Sequence, residues 1–216
     1  LYISKVLVAM DKKVLMIDST INQKAKYVVP VIKPTKAYVT DFEEIDVAVG
    51  FNNFDEIKEY LGMPIHAELP YDIILIDIDN IDAVQSFGIN NDGKNYFITG
   101  TDLYTLKKGL EILSGITEVL NLTKVIFSRT ASKEDDDYLN YLSLGYKITW
   151  SDEVIYFPFE VGDQSVIAEN QRVSKIKFRR LSTQYKEALI YIVEQILEQD
   201  EYSKMKKIFK QLERNI

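Results

Sequence analysis

Residues 71–80 read YDIILIDIDN, and their centre, Ile73-Ile74-Leu75-Ile76, is an unbroken apolar run followed by the carboxylate of Asp77. A run without alternation predicts a central strand buried on both faces, and such strands end at the sheet edge where α/β proteins bind ligands. The start of the chain repeats the theme. Leu1, Ile3, Val6, Leu7 and Met10 recur at helical spacing, and after Asp11-Lys12-Lys13 comes Val14-Leu15-Met16-Ile17, closed by Asp18. A helix followed at once by a buried strand is half of a βαβ unit, which leads us to expect a strand and a loop ahead of Leu1.

Further along, polar residues with Pro30 and Pro34 predict loop, with a short strand over 27–32. AYVTDF (37–42) and IDVAVGF (45–51) read as strands. Residues 54–61 read as a helix capped by Asn53 and stopped by Gly62. Asn90 to Gly93 is turn material, 96–99 a strand, and 103–113 an amphipathic helix that Thr101 or Asp102 would cap. LTKVIFSRT (122–130) is a buried strand, and KEDDDYLNYLSLG (133–145) a helix whose acidic first turn suits the positive end of its dipole. VIYFPF (154–159) is the last clear strand, and STQYKEALIYIVEQILEQD (182–200) a long closing helix. Strands alternating with helices predict an α/β fold: a mostly parallel, twisted central sheet with helices on both faces.

The composition narrows the chemistry. A chain of 216 residues without cysteine excludes disulfides and thiolate-held metals, and the single His66 beside Pro64 reads as a loop residue rather than a catalytic base. The absence of a long apolar run makes a cytoplasmic protein the expectation. The net charge of −7 opposes indiscriminate binding of nucleic acid over the whole surface. That charge is uneven: residues 201–216 carry five cations against two carboxylates, a net of +3, which leaves −10 for residues 1–200.

Three stretches occur in an informative order: the opening helix leading into KVLMIDST (13–20), then YDIILIDIDN, then YFPFEVGDQSVIAENQRV (156–173). Between the last two, YFITGTDLYTLKKGLEIL (96–113) supplies a strand, a Thr-rich turn and a helix. Together they resemble the MinD/ParA family of deviant-P-loop ATPases over residues 1 to about 200. The resemblance implies a P-loop NTPase-like nucleotide domain over 1–200, with its first strand and phosphate loop ahead of Leu1, and a basic amphipathic tail over 201–216. It implies ATP and Mg²⁺ as cofactors, provided that loop exists. Asp77 would face the Mg²⁺ shell through water, a role a carboxylate suits. Asp18 would lie near the γ-phosphate. Ser128 and Arg129, with Pro158, Phe159 and Glu160, would contact adenine. Relatives carry a second Asp two residues after the first, where this chain has Thr20, whose hydroxyl cannot act as a base near neutral pH. After Asp77 the family tends to have proline, whereas Ile78-Asp79-Asn80 follows here. An Mg²⁺-dependent ATPase with slow or absent turnover is the expectation.

Two basic stretches remain. In YSKMKKIFKQLERNI (202–216), Met205, Ile208, Phe209, Leu212 and Ile216 share one helical face and Lys204, Lys207 and Lys210 flank it. Such a helix lies on an anionic membrane or packs its stripe against protein; MinD proteins end in one, which implies a peripheral place at the inner membrane face. In RVSKIKFRR (172–180), Lys175, Lys177 and Arg179 alternate with apolar residues, so an extended segment would present a basic edge, either a solvated rim or a phosphate contact with non-specific DNA.

The leading functional expectation is an ATP-dependent dimerising switch that positions cellular, plasmid or conjugative cargo, as a homodimer bound to a partner protein of a positioning or secretion system. The alternative is a pseudo-ATPase scaffold that keeps the fold and binds through its surface. A receiver- or flavodoxin-type domain accounts for strands ending in Asp but not for DQSV.

Overall fold

The computed structural model describes residues 1–30, 36–128, 132–158 and 160–214. Among the described residues, seven strands form two sheets. In the first, β1 (Val14–Ser19) is flanked by β3 (Ile45–Val49) and β4 (Ile73–Ile78), both parallel to it, and β2 (Tyr38–Phe42) runs antiparallel outside β3. In the second, β5 (Tyr96–Gly100), β6 (Leu120–Phe127) and β7 (Ile148–Phe157) are parallel in that order. The helices are α1 (Tyr2–Ala9), α2 (Phe54–Tyr60), α3 (Ile81–Ser86), α4 (Leu103–Ser114), α5 (Lys133–Leu142), α6 (Val161–Arg172), α7 (Thr183–Ile196) and α8 (Tyr202–Arg214). The architecture is α/β with a mostly parallel sheet, as the alternation of elements predicts.

Side-chain alternation along each strand sorts the helices between two faces. Val14 and Met16 on β1 and Val125 and Phe127 on β6 meet one shared core, built with α1, α6, α7 and α8. Leu15 and Ile17 turn the other way, toward α2 and α3. Leu120 and Leu122 likewise face α4 and α5. One large core thus spans both sheets on one side, and two smaller ones cover the other. Their helices meet where the Ile81 side chain fills the space beside Gly115; a Cβ there would stand 2.5 Å from it.

The caps follow their sequence signals. Asn53 accepts from the Glu56 N–H and Asp102 from the Thr105 N–H, so each short polar side chain satisfies an otherwise unpaired donor of the first turn. Gly62, at φ +69°, reverses the chain after α2, where a side chain would be strained.

The structure corrects several expectations. Among the described residues the strand of 73–76 is not flanked on both sides: β4 pairs with β1, and all its residues but the exposed Asp77 are half-buried. Apolar content alone does not report how many strands stand beside one. In 27–32, Tyr27 closes a 3-10 turn, Lys24–Tyr27, while residues 31 and 32 lie outside the described ones. DQSV lies within α6, whose Asn170 amide donates to the Tyr2 hydroxyl at 2.6 Å and the Lys177 carbonyl at 2.8 Å, tying α6 to α1 and to the following loop. The basic segment 172–180 is not a strand, although Ile176 and Phe178 point inward and Lys175, Lys177 and Arg179 outward.

Residues 202–214 are folded onto the body rather than set apart. Met205 and Phe209 are buried, Phe209 against the Phe178 ring at 5.3 Å, and Lys186 pairs with Glu213 at 2.9 Å.

Candidate functional site

The parallel register of β1 and β4 sets Asp18 directly beside Asp77. Both fall on the α1 side of the sheet, in phase with Met16 and Leu75, at the C-terminal ends of adjacent strands. Their surroundings differ. Asp18 is buried, and both its oxygens are used: one accepts from the Thr20 N–H at 3.0 Å and the Thr20 hydroxyl at 2.6 Å, the other from the Ala25 N–H at 2.7 Å. The Thr20 hydroxyl in turn accepts from the Gln23 N–H at 3.0 Å. Asp18 therefore organises the 18–25 turn, and Thr20 is its partner.

Asp77 is exposed by surface area, yet protein crowds its carboxyl. Lost hydration, and then the neighbouring Asp18, push its pKa above the ordinary carboxylate value; Asp79 adds to this and Lys24 opposes it. A carboxylate held in this way gains from a cation. Mg²⁺ takes one or two carboxylates and keeps several waters, so Asp77 fits a water-mediated contact. Among the described residues no three acidic or histidine side chains converge to enclose a metal.

The two residues after the strand have work of their own. Asp79 accepts from the Ile21 N–H at 2.7 Å. Asn80 caps α3 by accepting from the Ala83 N–H at 2.8 Å, and its amide donates to the Ser19 carbonyl at 3.1 Å. Together they fasten the loop after β1 to the loop after β4. In the sequence these two residues stand out as a departure from proline, but an Asn followed by IDAVQS is also a legible cap signal.

The expected adenine contacts cluster in part. Ser128 follows β6 and donates its N–H to the Phe157 carbonyl at 3.1 Å, which brings it to the end of β7, where Pro158 follows; Glu160 stands at the N-cap of α6. Arg129 and Phe159 lie outside the described residues. Of the basic positions, Lys175 pairs with Glu43 at 3.0 Å and Lys204 with Asp11 at 3.0 Å, while Lys177, Arg179, Lys207 and Lys210 are exposed. Phe209 is covered by protein, so in this arrangement the stripe of α8 is not presented to lipid. No helix among the described residues is long and apolar enough to cross a membrane. His66 lies in an exposed turn.

The phosphates of a nucleotide need a cradle of backbone N–H groups and a lysine between a strand and a helix. GINNDGKN (88–95) comes within one residue of that pattern but follows a helix and precedes β5, the reverse order. Its side chains are spent on the loop itself and on β6: Asn91 bridges the Val119 carbonyl and the Asn121 N–H, and Asn95 donates to the Asn90 carbonyl. These residues do not fit phosphate, and we derive no hydrolytic step.

No protein-family model matches the chain, nor does any curated protein sequence. Among solved structures it is similar to a protein from Borrelia burgdorferi B31, described as a plasmid partition protein and bound to AMPPNP, with 14% identity and a TM-score of 0.47 over 97% of this chain and 90% of that one.

Proposed function

We propose that this protein is a ParA/MinD-like positioning protein, in which ATP and Mg²⁺ favour a face-to-face homodimer that engages a partner protein and so localises cargo. The observation that carries the reading is the Asp18–Asp77 pair, in register on one face at the ends of adjacent parallel strands, in a chain whose motifs follow that family's order. Within this reading Asp77 meets Mg²⁺ through water, and Ser128, Pro158 and Glu160 flank the base. The reading also requires a phosphate cradle of backbone N–H groups and a lysine. Exposed apolar side chains on the segments after β1 and β5, with Ile21 71%, Tyr27 78% and Tyr104 78% exposed, support a protein contact there.

A scaffold that keeps the fold without turnover is the second reading. It is favoured by Asp18, whose oxygens are already occupied by Thr20 and Ala25. Calorimetric titration of the full-length native gene product with ATP and Mg²⁺ decides between them. Saturable binding whose Mg²⁺-dependent part is lost in Asp77→Ala supports the switch; a protein indifferent to ATP leaves the scaffold.

A further inference from the structure

Two exposed helix faces complement each other. On α8, Tyr202, Ser203, Lys206, Lys207 and Lys210 line an outward groove of about 400 Å³. Lys206 is held by Glu194 at 2.9 Å, but Lys207 and Lys210 are exposed. The walls are lysine stems and a tyrosine ring, so the groove has an apolar floor under a cationic rim. On α5, Asp135 is spent on capping Ser132, and Asp136 on the buried Lys124. Glu134 and Asp137 remain exposed on α5 with Tyr138 and Tyr141, and Leu144 follows just beyond the helix; the three apolar side chains are 44%, 69% and 74% exposed. Spacing of three and four residues brings Glu134, Tyr138 and Tyr141, and Asp137 and Tyr141, onto one face, aromatic with acidic neighbours.

The fold keeps the two faces from meeting within one chain. Leu120, Leu122 and Lys124 of β6 point to the α5 side, and Val125 and Phe127 to the side carrying α8. The occupant that satisfies both is a second copy. We infer that the α8 groove of one molecule receives the acidic aromatic stripe of α5 from the next, through charge complementarity around an apolar contact. Because the two patches differ, the contact is head-to-tail, and it stays open to further copies unless its rotation closes a ring. This assembly is separate from the face-to-face dimer and needs no nucleotide.

Sedimentation velocity across a concentration series tests it. The wild type is expected to associate at low ionic strength and to dissociate as salt rises. Lys207→Glu with Lys210→Glu, and separately Glu134→Lys with Asp137→Lys, should each weaken self-association by at least about tenfold through like-charge contact. The second pair brings the net charge nearer zero, so a general charge effect would change association in the opposite direction. Mixing the two variants restores complementary faces at both kinds of contact and should restore assembly. All four positions are exposed, and an unchanged far-UV spectrum with a single cooperative unfolding transition verifies the fold. A wild type that stays monomeric throughout, reversals without effect, or a mixture that fails to assemble would overturn the inference. So would a groove that binds duplex DNA or phosphatidylserine vesicles through Lys207 and Lys210 without any self-association.

Discussion

The ends of β1 and β4 carry the same residue in the same register on the same face, and the protein treats them differently. Asp18 is enclosed and accepts three hydrogen bonds, whereas Asp77 is exposed and crowded by a like charge. A carboxylate whose acceptor capacity is filled by its own backbone holds a turn. One left with raised proton affinity is available to a cation or a ligand. The contrast separates structure from function more sharply than residue type does, since both positions look alike as apolar runs ending in Asp.

The largest test of that contrast is Asp18→Ala. It strands the Ala25 N–H in a buried site and releases Thr20, and should cost about 2–4 kcal/mol in urea unfolding. A loss near zero would mean that the turn is held by something else. Next, Asn80→Ala removes both the α3 cap and the link to Ser19, and is expected to cost about 1–2 kcal/mol by the same measurement. Asp77→Ala should lie within about 0.5 kcal/mol of the wild type, as an exposed position without a structural partner does. A large destabilisation there would erase the distinction between the two ends.

The smallest effect is in the pH dependence. The raised pKa of Asp77 means that its charged form is disfavoured in the folded state. Its contribution to stability is therefore fully present below the ordinary carboxylate value and is lost as pH rises through the folded value. Asp77→Asn, which does not titrate, should be slightly the more stable form near neutrality, with the gap closing in acid. Thermal midpoints across that range check the sign.

Much of the architecture was legible because alternating apolar strands and amphipathic helices announce themselves by period. The elements that escaped did so for physical reasons. α3 has six residues, too few to show a helical period, and only its Asn80 cap marks it. In α6, Val161, Val166 and Ile167 are diluted by polar residues, so no apolar stripe betrays the helix, whose inward face carries the buried Asp163 and Asn170. Asp163 accepts from the Ser182 N–H at 2.6 Å and its hydroxyl at 2.8 Å, a bond across nineteen positions that no local pattern reveals. The place of β4 among the described strands depends on which strand stands beside it, and a strand's own residues do not encode that. At the candidate site, Asp18 and Asp77 are visible as strand ends, but the filling of one depends on the turn that follows it and the raised pKa of the other on its burial and on the neighbouring Asp18.

Lys124 sits in LNLTKVIF, a strand with apolar residues on both faces, and is buried with Asp136 and Asn140 as its partners, the latter at 2.7 Å, and the Trp150 ring beside it. Such a strand is poorly defended against sliding by one position, because either face would accept its hydrophobic side chains. A charge that finds its counter-ion in a single alignment makes every slipped arrangement bury an unpaired ammonium. The ion pair thus acts as a key for the β6 pairings, and its worth is in the uniqueness of the folded state rather than in its depth. Lys124→Met with Asp136→Leu should leave the unfolding midpoint near that of the wild type while broadening the amide spectrum of β5 to β7; a spectrum as sharp as the parent's would show that the neighbouring strands fix the alignment unaided.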